Sequence, residues 1–168
     1  FTDVKNPIKN IFAPIVSITY VSIPLILISD LVGINGTYNN LFAIGLILLI
    51  WANDTGAYFV GSRLGKRKLA PDVSPNKTWE GFFGGLILSG SVALLIASIF
   101  EFDSLTWGLL GLSAGVFGTL GDLFESSLKR YTGVKDSGNI MPGHGGLLDR
   151  FDGFFFLIPV AWIILQLV

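Results

Sequence analysis

Five long apolar stretches constrain this chain more than any other feature of its sequence. A hydrocarbon core about 30 Å thick is crossed by about 20 apolar residues in a helix, and each stretch approaches that length. They predict an all-α, polytopic transmembrane helix bundle of about five spans, placed at residues 11–29, 41–60, 79–100, 105–121 and 151–168. A soluble bundle is disfavoured because only 14% of the residues are charged, which leaves five buried helices almost no polar face to meet water.

The basic residues segregate on one side of this arrangement. Neither connection 30–40 nor connection 101–104 contains Lys or Arg, so all eleven basic residues fall before the first span or in the two other loops. The positive-inside rule makes that side cytoplasmic. The same loops, roughly 61–78 and 122–150, hold most polar residues. We therefore expect one integral-membrane domain over residues 1–168, with its chemistry at the cytoplasmic face. Because the chain starts at Phe1, we expect it to be part of a longer protein.

Small and then charged residues follow one face of the fourth stretch. The series is Gly108, Gly111, Gly115, Gly118, Asp122, Glu125 and Lys129. Glycines let helices approach closely, so this face should turn inward and carry the two carboxylates into the bundle. The alternative is that the carboxylates only end a helix in water, but negative charge is unfavourable at a helix C-terminus.

Three further aspartates border the same loops. Asp149 and Asp152 lie three residues apart where the fifth stretch begins, where helix capping is the alternative to a functional role. Asp54 lies inside the second stretch, where a carboxylate is costly and functional by default; a structural hydrogen bond is its alternative. Oxygen ligands of this kind suit Mg²⁺. Zinc is disfavoured because the chain has no cysteine and one histidine.

Two loop segments resemble anion-binding elements. The basic segment 61–81 is not a Walker A motif, because Gly61 and Gly65 are too close and Arg67 follows Lys66. Its basic residues can also be explained by topology alone. Lys77, however, directly precedes a predicted helix N-terminus, a combination that suits an anion. Glycines of segment 142–146 allow close backbone approach to a ligand. The role of His144 in that segment stays open between phosphate contact, proton transfer and structure.

Residues 126–152 read SSLKRYTGVKDSGNIMPGHGGLLDRFD. This segment closely resembles the signature of the CDP-diacylglycerol synthase (phosphatidate cytidylyltransferase) family, and residues 54–81 resemble a second block of that family. The resemblance covers the chain from about residue 45 and implies its C-terminal catalytic part. It implies CTP and phosphatidic acid as substrates, Mg²⁺ as cofactor with a second cation left open, and the bilayer as partner. A bacterial inner-membrane location is expected, with a homodimer left open.

The resemblance also assigns roles to residues of this chain. Implied catalytic residues are Asp122, Asp149, Asp152, Lys77 and His144. Implied substrate-binding residues are Ser74, Asn76, Lys77, Thr78, Lys129, Arg130, Lys135, Asp136, His144, Gly145, Gly146 and Arg150. Implied metal ligands are Asp122, Asp149 and Asp152, with Asp54 and Glu125 as secondary candidates.

Three alternative functions each conflict with a feature of the sequence. A CDP-alcohol phosphotransferase also uses membrane aspartates, but its Asp-Gly-x-x-Ala-Arg pattern is missing and Asp149 and Asp152 are three residues apart rather than four. An ion-coupled transporter would need polar groups at several depths, whereas these cluster on one side. A non-catalytic scaffold would leave the carboxylates unexplained. The net charge of −1 gives no overall attraction to nucleic acid.

Overall fold

The computed structural model describes residues 7–33, 40–133, 146 and 148–168. Its elements in chain order are α1 (Pro7–Val32), α2 (Asn40–Leu64), β1 (Lys68–Ala70), β2 (Ser74–Thr78), α3 (Trp79–Phe100), α4 (Ser104–Thr132) and α5 (Leu148–Leu167). The predicted all-α membrane bundle is confirmed, with one addition. β1 and β2 form an antiparallel hairpin between α2 and α3, which the sequence reading treated as a loop.

Three helices are long and apolar enough to cross a membrane, judged over the described residues. They are Asn40–Leu64, Trp79–Phe100 and Ser104–Tyr131. The apolar parts of the other two helices, Ile18–Val32 and Phe151–Leu167, are shorter. The chain is therefore an integral membrane protein, while the crossing of the bilayer by α1 and α5 stays a prediction.

Consecutive helices pack against each other from α2 to α5, and α1 packs mainly on α5. The core contains Leu46 and Leu49 of α2, Trp107 and Leu110 of α4, and Leu157 of α5. In a bilayer, close packing and interhelical hydrogen bonds hold helices together more than the hydrophobic effect does.

Close approach of α3 and α4 depends on Gly111. A Cβ atom there would lie 2.6 Å from Cβ of Ala93 and 2.9 Å from Cα of Gly90. At the same crossing, buried Ser89 donates a hydrogen bond of 2.9 Å to the carbonyl oxygen of Gly111. The glycine face predicted from the sequence thus includes a true helix contact.

The short α3–α4 connection is stabilised by capping. Glu101 ends α3 in the left-handed region, with φ of 55°. Asp103 caps α4, accepting hydrogen bonds from the hydroxyl and backbone N–H of Thr106 at 2.7 and 2.6 Å. Both bonds hold the pKa of Asp103 below its ordinary value, and the bond from the hydroxyl has the larger effect. Trp162 of α5 donates a 2.6 Å hydrogen bond to Asp30 of α1, joining these two helices near their C-terminal ends.

Helix α4 extends well beyond its apolar part. The sequence predicts a polar loop from residue 122, but the helix continues to Thr132 and is capped by Gly133 in the left-handed region, with φ of 73°. Asp122, Glu125 and Lys129 therefore lie on one face of one continuous helix, separated by three and four residues.

Candidate active site

The hairpin places Lys77 beside helix α4. Lys77 lies in β2, one residue before Thr78, which caps α3 by accepting a hydrogen bond of 3.1 Å from the N–H of Gly81. Nζ of Lys77 lies 2.5 Å from Oδ2 of Asp122. The second carboxylate oxygen of Asp122 accepts a 3.2 Å hydrogen bond from the hydroxyl of Ser126. Asp122 therefore links Lys77 of segment 54–81 to Ser126, the first residue of the signature segment 126–152.

Lys129, a second lysine of the site, bridges the carboxylates of Glu125 and Asp149. Nζ of Lys129 lies 3.1 Å from Oε2 of Glu125 and 2.7 Å from Oδ1 of Asp149. The other oxygen of Asp149 accepts a 2.7 Å hydrogen bond from the N–H of Gly146. Glu125 is only 2% exposed, and its buried Oε1 has no hydrogen-bond partner among the residues that the structure describes. Lys129 therefore ties α4 to the start of α5.

Asp152 is held by the backbone and by α1. Its Oδ1 accepts a 2.6 Å hydrogen bond from the N–H of Gly153. Its carbonyl oxygen accepts a 3.3 Å hydrogen bond from the hydroxyl of Tyr20. The Tyr20 ring packs against Phe124 and Phe155, with centroid separations of 5.7 and 5.6 Å. The first helix thus helps to fix the start of the fifth.

Two adjoining cavities meet at these side chains. The smaller, about 360 Å³, is lined by Asp54, Asp122, Lys129, Asp149 and Asp152, with Ile50, Trp51, Gly118 and Gly153. The larger, about 630 Å³, lies against the hairpin, and its walls include Lys68, Asn76, Lys77, Thr78, Tyr58 and Phe82. Asp54 and Asp122 line both. One cavity is therefore rich in carboxylates, and its neighbour combines cationic, amide and aromatic groups.

The structure brings most of the predicted residues together. Asp54, Asp122, Asp149 and Asp152 share one cavity, but within the described ranges no three carboxylates lie close enough together to hold a metal ion by themselves. Asn76, Lys77 and Thr78 line the other cavity. Ser74 pairs with Ala70 in the hairpin, and exposed Arg130 is among the lining residues of neither cavity.

Other predicted residues fall outside what the structure describes. They are Lys135, Asp136, His144 and Gly145, together with the side chain of Arg150. Gly146 is described and offers its backbone N–H to Asp149. The roles predicted for the four undescribed residues and for the Arg150 side chain stay predictions.

Two residues near the site were not singled out in the sequence. Asn53 is buried at 2% exposure beside the larger cavity, and its Oδ1 accepts no hydrogen bond from the described part of the chain. The sequence signal for Asn53 was a polar amide inside an apolar stretch, but the neighbouring Asp54 was the stronger candidate. Glu80 accepts hydrogen bonds from the backbone of Lys66 and Arg67. Nothing in the spacing of an isolated Glu indicated that contact.

Comparison with known proteins adds independent evidence. The model of the cytidylyltransferase family matches residues 1–168. Phosphatidate cytidylyltransferase of Bacillus subtilis (strain 168) is 53% identical over 126 residues, 71% of this chain and 45% of the relative. The protein of the same name from Staphylococcus aureus (strain COL) is 53% identical over 120 residues, which are 70% of this chain and 46% of the relative. The protein of the same name from Staphylococcus saprophyticus is 48% identical over 153 residues, which are 90% of this chain and 57% of the relative. The chain spans about half the length of these curated relatives.

Proposed function

We propose, because the chain belongs to the cytidylyltransferase family, that it transfers the cytidylyl group of CTP to phosphatidic acid. The products are CDP-diacylglycerol and pyrophosphate. The relatives' name, phosphatidate cytidylyltransferase, supports this choice. The observation that carries it is the Lys77–Asp122 pair, where the hairpin cavity, lined by Lys68 and Lys77, adjoins the cavity lined by four carboxylates, among the ends of membrane helices.

The reaction joins two anions and needs little acid–base chemistry. A phosphate oxygen of phosphatidic acid attacks the α-phosphorus of CTP and forms a new P–O bond. The bond between the α-phosphorus and the bridging oxygen breaks, and its electron pair leaves with pyrophosphate. The attacking oxygen is already anionic near neutral pH, because a phosphate monoester has its second pKa near 6. Catalysis must therefore come from orientation and from neutralising charge.

Of the residues that the structure describes, Lys77 is best placed to neutralise phosphate. Its ammonium group is paired with Asp122, which lines both cavities, and its side chain is 24% exposed, so a phosphate can reach it. In the described state Asp122 is its counter-ion. When a phosphate oxygen replaces Asp122 at Nζ, the carboxylate becomes available to another cation. Asn76 and Thr78 line the same cavity and can orient the nucleotide.

The site suits Mg²⁺ as the accompanying cation. Four carboxylates and one lysine line the smaller cavity, so it carries excess negative charge that would repel a triphosphate. Mg²⁺ usually binds through one or two carboxylates, with substrate phosphates and water completing its shell, so three adjacent protein ligands are not required. Asp122, Asp149 and Asp152 would hold it, with Asp54 beside them. When bound, it would neutralise charge developing on the phosphate oxygens.

We place the site on the cytoplasmic side of a bacterial inner membrane. The support is the segregation of the basic residues: α2 and α4 end, and α3 begins, in segments that carry them. There a water-soluble nucleotide can meet a lipid substrate held in the bilayer. A homodimer is a further proposal, tested by the mass of the purified particle in detergent.

The test uses purified protein with cytidine-labelled CTP, phosphatidic acid and Mg²⁺, followed by lipid extraction. Label should enter the lipid phase only with phosphatidic acid present, and EDTA should abolish its transfer. Transfer that requires a preformed CDP-lipid and a free alcohol would show a phosphotransferase instead. No transfer under either condition would refute the proposal.

A further inference from the structure

Glu80 makes an unusual contact for an acidic residue in a basic neighbourhood. It is the second residue of α3, and its carboxylate accepts backbone hydrogen bonds rather than simply facing the adjacent basic side chains. Oε2 accepts from the N–H of Lys66 at 3.0 Å and from that of Arg67 at 3.2 Å, while Oε1 lies 3.3 Å from the latter nitrogen. Glu80 thus holds the backbone of the turn that leads from α2 into the hairpin.

This turn is where the hairpin most needs support. β1 has three residues, and its pairing with β2 is irregular between Lys68 and Ala70. A two-stranded hairpin is at best marginally stable alone. One backbone hydrogen bond, 2.9 Å from Trp79 to the carbonyl of Arg67, joins the turn to α3. The Glu80 contacts add to this bond and fix the entry of β1 against a rigid helix.

The consequence concerns Lys77, which β2 carries to Asp122. The two strands are paired from Lys68↔Thr78 to Ala70↔Ser74, so displacement of the turn is transmitted to the strand that contains Lys77. We propose that Glu80 is a positioning residue that holds the hairpin so that Lys77 reaches the junction of the two cavities. The effect on catalysis rests on the proposed function, whereas the effect on the turn does not.

Two substitutions separate a hydrogen-bonding role from a charge effect. Glu80→Gln keeps one carbonyl oxygen, which can accept from both N–H groups as Oε2 does now. Glu80→Ala removes both acceptors. A role limited to favourable charge at a helix N-terminus would be lost equally in both variants. Glu101→Ala, which removes a carboxylate at the opposite end of α3, is the matched control.

The first measurement is trypsin cleavage in the turn, which offers Lys66, Arg67 and Lys68 as sites. Cleavage of a local segment follows the population of its open form, so Glu80→Ala should raise the initial rate at these bonds by about threefold or more. Glu80→Gln and Glu101→Ala should match the wild type. Fragments are assigned by mass spectrometry on the whole protein in detergent.

The second measurement is kcat for cytidylyl transfer. Glu80→Ala should lower it by about tenfold, as expected when a phosphate-neutralising group loses part of its preorganisation, and Glu80→Gln should retain most of it. The inference would be overturned if Glu80→Gln and Glu80→Ala lost the same fraction of kcat. It would also be overturned if Glu80→Ala left the cleavage rate unchanged, or if it raised the cleavage rate without lowering kcat. An inactive wild type would refute the proposed function instead, and the cleavage comparison would still decide whether Glu80 holds the turn.

Discussion

The two lysines of the site should respond oppositely when each is replaced by methionine. Lys129 is 18% exposed and lies between Glu125 and Asp149, which are 2% and 11% exposed. Lys77 is 24% exposed, and its partner Asp122 is 41% exposed. We expect Lys129→Met to act mainly on stability and Lys77→Met mainly on activity.

The magnitudes follow from burial. Removing one member of a buried ion pair costs about 3–5 kcal/mol, because the remaining charge is left without compensation. For Lys129→Met that loss corresponds to a fall of about 6–20 °C in the unfolding temperature, at about 2–4 °C per kcal/mol for a chain of this size. A solvent-exposed pair contributes about 1 kcal/mol or less, so Lys77→Met should unfold within a few degrees of the wild type. Its transfer rate should nevertheless fall about a hundredfold, as when a charge-stabilising group is removed.

Thermal unfolding in detergent, followed by tryptophan fluorescence, measures the first effect, and cytidylyl transfer below the unfolding range measures the second. The double variant Glu125→Gln/Lys129→Met removes one uncompensated carboxylate and should recover part of the lost stability. Equal unfolding temperatures for Lys129→Met and Lys77→Met would refute the argument from burial. If the double variant recovers no stability, Glu125 is not the carboxylate that Lys129 stabilises.

Two further predictions concern helix packing and topology. Gly121→Ala should destabilise the protein by about 1–3 kcal/mol, as overpacking does, because the new Cβ would lie 2.6 Å from the carbonyl oxygen of Asp152. Gly90→Ala is the control and should unfold like the wild type, because the nearest atom to its Cβ would be 3.9 Å away. The chain has no native cysteine, so a cysteine placed at exposed Ser104 should react with an impermeant reagent in intact cells. A cysteine at exposed Asp72 should react only after the membrane is opened, and the reverse pattern would refute the cytoplasmic placement.

The sequence predicted the bundle because lipid imposes a simple rule. Each span needs a long apolar segment, and each of the five predicted stretches overlaps one helix. The same rule located the end of the fourth span at residue 121, where apolar residues give way to charged ones. It could not show that the helix continues to Thr132, because hydropathy marks where the membrane ends and carries no signal for where a helix ends.

The hairpin was beyond prediction for a different reason. Its strands have three and five residues, too few for an alternating pattern to stand out, and Pro75 lies in the second. Its position depends on contacts with other elements, such as the cap formed by Thr78 and the backbone bonds of Glu80. Lys77 could be recognised as a phosphate-binding candidate, but its pairing with Asp122 depends on where the hairpin lies.

Lys129 shows how tertiary surroundings set the role of a charge. In the sequence it follows a glycine face and opens a basic signature, which indicates contact with phosphate. In the structure its ammonium group is held between Glu125 and Asp149, so a phosphate would have to displace two poorly solvated carboxylates. Among the described residues, Lys77 pairs with Asp122 alone, which is 41% exposed. A phosphate that takes the place of Asp122 at Lys77 leaves the carboxylate accessible to water or a cation. Exchange of counter-ions is therefore expected at Lys77. Lys129 links α4 to α5, and its contact with phosphate stays a prediction.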